Sequence, residues 1–254
     1  MNNVVLAIAQ KELRSYFASP IGYVITGLFA LLFGWIFYAY LSYFVRTSEQ
    51  MTMGGGTPNV NQHMISGLLQ TTATIILFVM PMITMRTYSE EKRSGTIELL
   101  LTSPVSDVQI ILGKFFGAMG LYAAMLGVTV VYVSILFFLG NPEWRPVIAG
   151  YLGLLLMGGC FIAVGLLVSS LTKNQIVAGI ATFAVFLFLW VINWIGESAG
   201  PTGREIVTYI SITDHFTDFA RGVIDTKHVV YYLSFITFGL FLTAKSVDSE
   251  RWRG

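Results

Sequence analysis

Apolar residues gather in six long runs separated by short polar segments: Ile21–Val45, Met64–Met85, Gly113–Leu139, Val147–Leu171, Gln175–Ile195 and His228–Thr243. A helix rises 1.5 Å per residue, so roughly 20 residues cross about 30 Å of bilayer hydrocarbon. The pattern therefore predicts six transmembrane helices. The last run is the shortest and opens on a polar stretch. Only Thr172, Lys173 and Asn174 separate the fourth and fifth, which predicts a tight hairpin. The first run is too long for the apolar core of a cleaved signal peptide, and no A-x-A-like site follows it.

Ahead of the first run the pattern changes. On a helical projection of Asn3–Ala18, Leu6, Leu13, Tyr16 and Phe17 share one side, and Gln10, Lys11 and Arg14 share the other. This predicts an amphipathic helix on the inner leaflet, broken from the first span at Pro20. Its site residues are Lys11 and Arg14 on the polar face and Tyr16 and Phe17 on the apolar face.

Composition supports lipid as the solvent. The 254 residues are 55% hydrophobic and 11% charged, with a mean hydropathy of +0.70, whereas soluble domains carry about 25% charged residues. A net charge of +1 gives no pull toward nucleic acid. The distribution of charge is informative. Lys11, Arg14, Arg86, Lys92, Arg93, Lys114, Lys173, Lys245, Arg251 and Arg253 fall on one side of the predicted spans. Arg46, Arg145, Arg204, Arg221 and Lys227 fall on the other. Cytoplasmic loops carry the excess of Lys and Arg, so both termini are expected inside, as an even number of spans requires. The length suits one membrane domain over residues 1–254, with 1–19 as the elbow helix and 20–254 as the six-helix part.

The central thirds of the six runs carry no Asp, Glu, Lys, Arg or His. Ion and proton paths need such groups at membrane depth, which argues against an ion-coupled carrier, a charged pore and a membrane-embedded enzyme. Small residues recur instead: Gly153, Gly158, Gly159, Ala163, Gly165, Ser169 and Ser170 in the fourth run, and Gly113 with Gly117 in the third. They let helices approach closely, whether within one chain or between two. Pro81 predicts a kink near the inner end of the second run. Cys160, the single cysteine, sits among small residues and reads as packing.

Two segments outside the runs are too specific to be plain connectors. From Arg86, a charged stretch with Glu90, Glu91, Lys92 and Arg93 meets a boundary at Gly95 and Thr96, and then Glu98, Leu99, Leu100 and Leu101. An exposed triple leucine needs a protein or membrane surface to cover it. Ser106-Asp-Val-Gln109 matches a capping box, so a helix should start there and feed the third span. On the other side, Gly196–Lys227 holds the apolar stretches Ile206–Ile212 and His215–Ile224, punctuated by Asp214, Asp218, Arg221 and Asp225. They predict one or two short re-entrant or interfacial helices. Catalytic signals are missing. His63, His215 and His228 stand far apart and only Cys160 could join them, so no zinc-type ligand spacing exists. Gly113-Lys114 is followed by Phe115, and no phosphate-binding loop is present. Gly54-Gly55-Gly56 reads as a flexible turn.

The stretch Ser89-Glu-Glu-Lys-Arg-Ser-Gly-Thr-Ile-Glu-Leu-Leu-Leu-Thr-Ser-Pro104 resembles the cytoplasmic signature of ABC-2 type transporter permeases. Asp214-His-Phe-Thr-Asp-Phe-Ala-Arg-Gly-Val-Ile-Asp225 and Ala244-Lys-Ser-Val-Asp-Ser-Glu-Arg-Trp252 resemble the branch associated with gliding motility and multi-copper-enzyme maturation. The resemblance implies an all-α integral membrane fold: six transmembrane helices, the N-terminal elbow helix, a cytoplasmic coupling helix and outer re-entrant helices. It implies a permease subunit in the cytoplasmic (inner) membrane, dimeric with a second copy or a homologous permease. Each half would rest on a separate cytoplasmic ABC ATPase, which alone binds ATP and Mg, so this chain is expected to hold no cofactor, no metal and no catalytic residue. An accessory extracytoplasmic subunit and the lipid bilayer complete the expected partners. Glu90–Leu101 would be the ATPase-coupling segment. Asp214, His215, Phe216, Arg221, Gly222 and Asp225 would belong to the outer re-entrant region. Apolar walls suit a lipid-like or polymeric cargo. A mechanical transducer driven by the same kind of ATPase is the alternative.

Overall fold

The computed structural model describes residues 2–53, 60, 64–101, 104–139, 142–198, 207 and 209–251. They form α1 (Asn2–Ala18), α2 (Pro20–Met53), α3 (Ser66–Thr84), α4 (Ser89–Ser94), α5 (Thr96–Leu101), α6 (Asp107–Leu139), α7 (Trp144–Ser170), α8 (Gln175–Ser198), α9 (Ile212–Ala220) and α10 (Thr226–Arg251). No strand occurs among the described residues. The six helices long and apolar enough to cross a membrane are α2, α3, α6, α7, α8 and α10. Gly54-Gly55-Gly56 and His63 lie outside the described residues.

Local signals set the helix ends. Pro20 opens α2, where a missing N–H costs nothing, and Ser19 Oγ accepts from the Ile21 N–H at 3.3 Å. The capping box forms as its residues predict: Ser106 N–H donates to Gln109 Oε1 at 3.1 Å, and Gln109 N–H to Ser106 Oγ at 3.4 Å. Asn174 Oδ1 accepts from Ile176 N–H at 2.9 Å and starts α8 after the hairpin. Two expected spans were too short. α2 continues past Val45 to Met53, and α10 runs Thr226–Arg251 rather than His228–Thr243. Hydropathy reports the thickness of hydrocarbon, whereas a helix continues beyond it wherever polar side chains reach water.

α7 is the central helix, packed by α3, α6, α8, α9 and α10. Its glycines explain why. A Cβ on Gly153 would lie 2.6 Å from Phe219 Cβ of α9, and one on Gly159 would lie 2.8 Å from Ile236 Cδ1 of α10. Gly150 and Gly165 face Leu69 and Thr84 of α3, and Gly158 faces Tyr122 of α6. Small residues on several sides let four neighbours approach one axis, where lipid offers no hydrophobic force to drive association. α2, α8 and α10 stay peripheral and turn large apolar groups outward, among them Leu31, Trp35, Ile180, Phe188 and Phe238.

The small residues of α6 receive α1. A Cβ on Gly113 would meet Ile8, and one on Gly117 would stand 2.5 Å from Glu12 Cβ. The G-x-x-x-G is thereby occupied within the chain. α1 covers the start of α6, with Tyr16 buried, Phe17 partly buried, and Lys11 and Arg14 exposed. α4 lies at the same end of the bundle, and α9 packs near the opposite end of α7.

Candidate functional site

The polar corner around α4 begins with a turn. α3 ends at Thr84, and Met85–Tyr88 bend the chain before α4. Ser169 Oγ of α7 accepts from the N–H groups of Tyr88 and Ser89 at 3.0 and 3.1 Å and donates to the Met85 carbonyl at 3.0 Å. A side chain from another helix thus satisfies N–H groups that the start of a helix leaves open.

Lys114 of α6 is 1% exposed and is the centre of the corner. Its Nζ lies 2.8 Å from Glu12 Oε1 of α1, 2.8 Å from Glu91 Oε1 of α4 and 3.0 Å from the Thr87 carbonyl. Three donors meet three oxygens, the full capacity of an ammonium. The same Nζ stands 5.0 Å from the Tyr88 ring centroid. Burial of one charge is tolerable because it is paired and fully hydrogen-bonded. On the other side of α4, Lys92 Nζ donates to Glu250 Oε1 of α10 at 2.6 Å, and Ser170 Oγ donates to Ser246 Oγ at 2.8 Å. Tyr16 of α1 donates to the Ile83 carbonyl at 3.0 Å, and burial pushes its phenol up to about 12. Polar links therefore join α1, α3, α4, α6, α7 and α10 at one end.

A cleft of about 280 Å³ opens between α1 and α4, lined by Lys11, Glu12, Ser15, Tyr16, Arg86, Glu90, Glu91, Ser94 and Thr96. Arg86 Nε pairs with Glu90 Oε2 at 3.0 Å on its rim. Arg86 Nη1 and Glu91 Oε2 are buried with no hydrogen-bond partner among the described residues.

The expected coupling residues divide between two roles. Glu91 and Lys92 turn inward to the ion pairs above, while Glu90, Arg93, Thr96 and Glu98 are exposed. Gly95 has φ +73° and splits the segment into α4 and α5, in agreement with the boundary expected there. Leu99, Leu100 and Leu101 belong to α5, but their side chains lie outside the described residues. Glu12, Lys114, Ser169 and Glu250 were not among the expected site residues. The available signal was a charge inside an apolar stripe: Glu12 follows Val5, Ile8 and Ala9 at helical spacing, and Lys114 stands between Gly113 and Phe115.

At the other end, one short helix, α9, is clear. Its N-cap Ser211 accepts from Asp214 N–H at 3.2 Å, and Gly222 (φ +88°) turns the chain against Pro146. Val207, Tyr209 and Ile210 are helical ahead of it, while Ile206 and Thr208 lie outside the described residues. Phe216 and Phe219 are buried, Asp214 is partly buried and Arg221 is exposed. The Lys227 backbone N–H, at 2.9 Å, and then its ammonium hold the Asp225 carboxyl below its usual range. The expected separation of the histidines fails here. His215 Nδ1 lies 2.6 Å from His228 Nδ1, because the turn after α9 folds α10 back onto it. Sequence distance does not measure spatial distance across a tight turn. His228 Nε2 stands 2.8 Å from Asp218 Oδ2. No group of three or more His, Cys, Asp or Glu suited to a metal ion occurs among the described residues.

Six apolar spans, with the small-residue helix α7 at their centre, define a multi-pass membrane protein. The ABC-2 family transporter protein model matches residues 6–243, and the chain belongs to that family. It is similar to the "Probable multidrug ABC transporter permease YbhR" of Escherichia coli K12, at 25% identity over 183 residues, 70% of this chain and 48% of the relative. The protein of the same name from Escherichia coli O157:H7 matches equally. The chain thus spans about half the length of the curated relatives it matches.

Proposed function

We propose that this chain is the membrane half of an ATP-driven exporter, paired with a second permease and resting on separate ABC ATPase subunits that bind ATP and Mg. The carrying observation is the buried Lys114 held by Glu12 and Glu91. A push on α4–α5 by a partner reaches α1 and α6 through this node, and α10 through Lys92–Glu250. The exposed Glu90, Arg93 and Glu98 supply charge to the partner, and the leucines of α5 an apolar anchor. The 10-to-5 division of Lys and Arg supports an orientation with both termini and α4–α5 on the cytoplasmic side and α9 at the outer end; the inner membrane is the location that fits an ATP-driven exporter of this family.

The absence of charged residues from the central thirds of the six runs suits a lipid-like, polymeric or amphipathic cargo, and the relatives' multidrug designation fits the last class. The test is reconstitution of the permease with its ATPase in vesicles. Reversing Arg93→Glu and Glu98→Lys should abolish permease-stimulated ATP hydrolysis while the chain keeps its wild-type Tm. Stimulation that survives both changes removes the assigned contact. ATP hydrolysis coupled to the permease without cargo movement would assign a mechanical transducer instead.

A further inference from the structure

The histidine pair at the α9 end is a built polar chain that the proposed export cycle does not use. Its order is Tyr209 carbonyl, His215 Nε2 at 3.0 Å, His215 Nδ1, His228 Nδ1 at 2.6 Å, His228 Nε2, and Asp218 Oδ2 at 2.8 Å. Three links join four groups. The Tyr209 carbonyl only accepts, so His215 Nε2 carries a hydrogen. Asp218 Oδ2, on a side chain 38% exposed, lies opposite His228 Nε2 as an acceptor, and a hydrogen on that nitrogen, the second of the chain, completes the link. A hydrogen bond between the two Nδ1 atoms needs a third hydrogen, and three hydrogens on four ring nitrogens would give the ring pair one positive charge. A fourth hydrogen would place N–H against N–H at the central link. Removing one would place lone pair against lone pair.

We propose that Tyr209, His215, His228 and Asp218 form a proton-responsive latch, which ties α9 to α10 while the two rings share one positive charge and releases it when a further proton binds. Both rings are buried, whereas Asp218 gives the chain a route to solvent. The ring of His215 stacks on Tyr231 at 3.8 Å, so it is held in register for the central link. Burial keeps the His215 pKa below the ordinary histidine value; the Tyr209 carbonyl opposes this, His228 adds to it, Asp214 opposes it and Lys227 adds to it. From the elements packed on α9 and α10, Cys160 of α7 and Tyr122 of α6 face the adjoining Tyr231 and Tyr232, and Asp225 faces His228 from the turn. The extra proton therefore enters on acidification. Assigning α9 to the outer compartment rests on the proposed orientation, but the latch chemistry does not.

The test uses the full chain in lipid nanodiscs, with neither ATPase nor cargo. With ¹⁵N-histidine and His63→Gln to remove the third histidine, imidazole nitrogen resonances near neutral pH should show one doubly protonated ring and one Nε2–H ring. Two neutral rings, or two rings titrating independently, overturn the latch. Hydrogen exchange of α9 amides, corrected for intrinsic rate, should accelerate roughly tenfold or more once the central link is lost on acidification. His215→Gln, which cannot take the fourth hydrogen, should abolish that acceleration. Wild-type exchange that does not respond to acid, or a response that persists in His215→Gln, overturns it. Both readouts are independent of transport, so they can fail while the exporter assignment stands, and the reverse.

Discussion

Lys114→Met is the most informative single perturbation of the polar corner. Methionine keeps the length and apolar stem of lysine but removes the ammonium, leaving Glu12 and Glu91 facing one another with side chains only 12% and 17% exposed. Breaking a buried ion pair by deleting one partner costs about 3–5 kcal/mol, because the remaining charge is uncompensated. For a chain of this size each kcal/mol moves Tm by roughly 2–4 °C, so a fall of roughly 6–20 °C is expected. The cost lies in the stranded carboxylates, so the triple variant Lys114→Met, Glu12→Gln, Glu91→Gln should recover most of it. Thermal unfolding in one detergent, followed by tryptophan fluorescence, measures all three proteins. If the corner also transmits force, the triple variant should regain stability but not permease-stimulated ATP hydrolysis by the partner. A Tm for Lys114→Met within about 2 °C of wild type would refute the energetic reasoning, since it falls below one kcal/mol. Restored stimulation in the triple variant would refute the transmitting role while leaving the structural one intact.

Other expectations follow from single contacts. Gly117→Val should lose about 1–3 kcal/mol by forcing α1 off α6, while Gly127→Ala, with nothing within 4 Å of the added carbon, should be near neutral in the same thermal assay. Ser169→Ala removes the acceptor of the Tyr88 and Ser89 N–H groups and should cost about 1–3 kcal/mol, with hydrogen exchange at those two amides accelerating first. The lowered His215 pKa means that the unfolded chain binds more protons than the folded one below the ordinary histidine value. On acidification the contribution of His215 to stability thus declines as pH falls below 6.5 and through its folded pKa; a pH series of Tm on the acid side should show this slope, and His215→Gln should flatten it.

The six spans, their order and the starts of α2, α6 and α8 were legible in the sequence because each depends on local chemistry. A bilayer demands a fixed length of apolar helix, and Pro20, the Ser106–Gln109 box and Asn174 act on backbone groups within a few residues. Gly95 as a boundary was equally local. Which partner each side chain meets was not legible. Gly113 and Gly117 are compatible with a second chain or with the chain's own N-terminal helix, and only the packing of α1 decides for the latter. Lys114 looks like one more loop-side cation until Glu12, 102 residues earlier, is brought within 2.8 Å. His215 and His228 look isolated until a turn at Gly222 places their rings together. Solvent preference is written residue by residue, so one sequence displays it. Charge pairing and hydrogen sharing belong to distances between distant segments, and those exist only once the helices have packed.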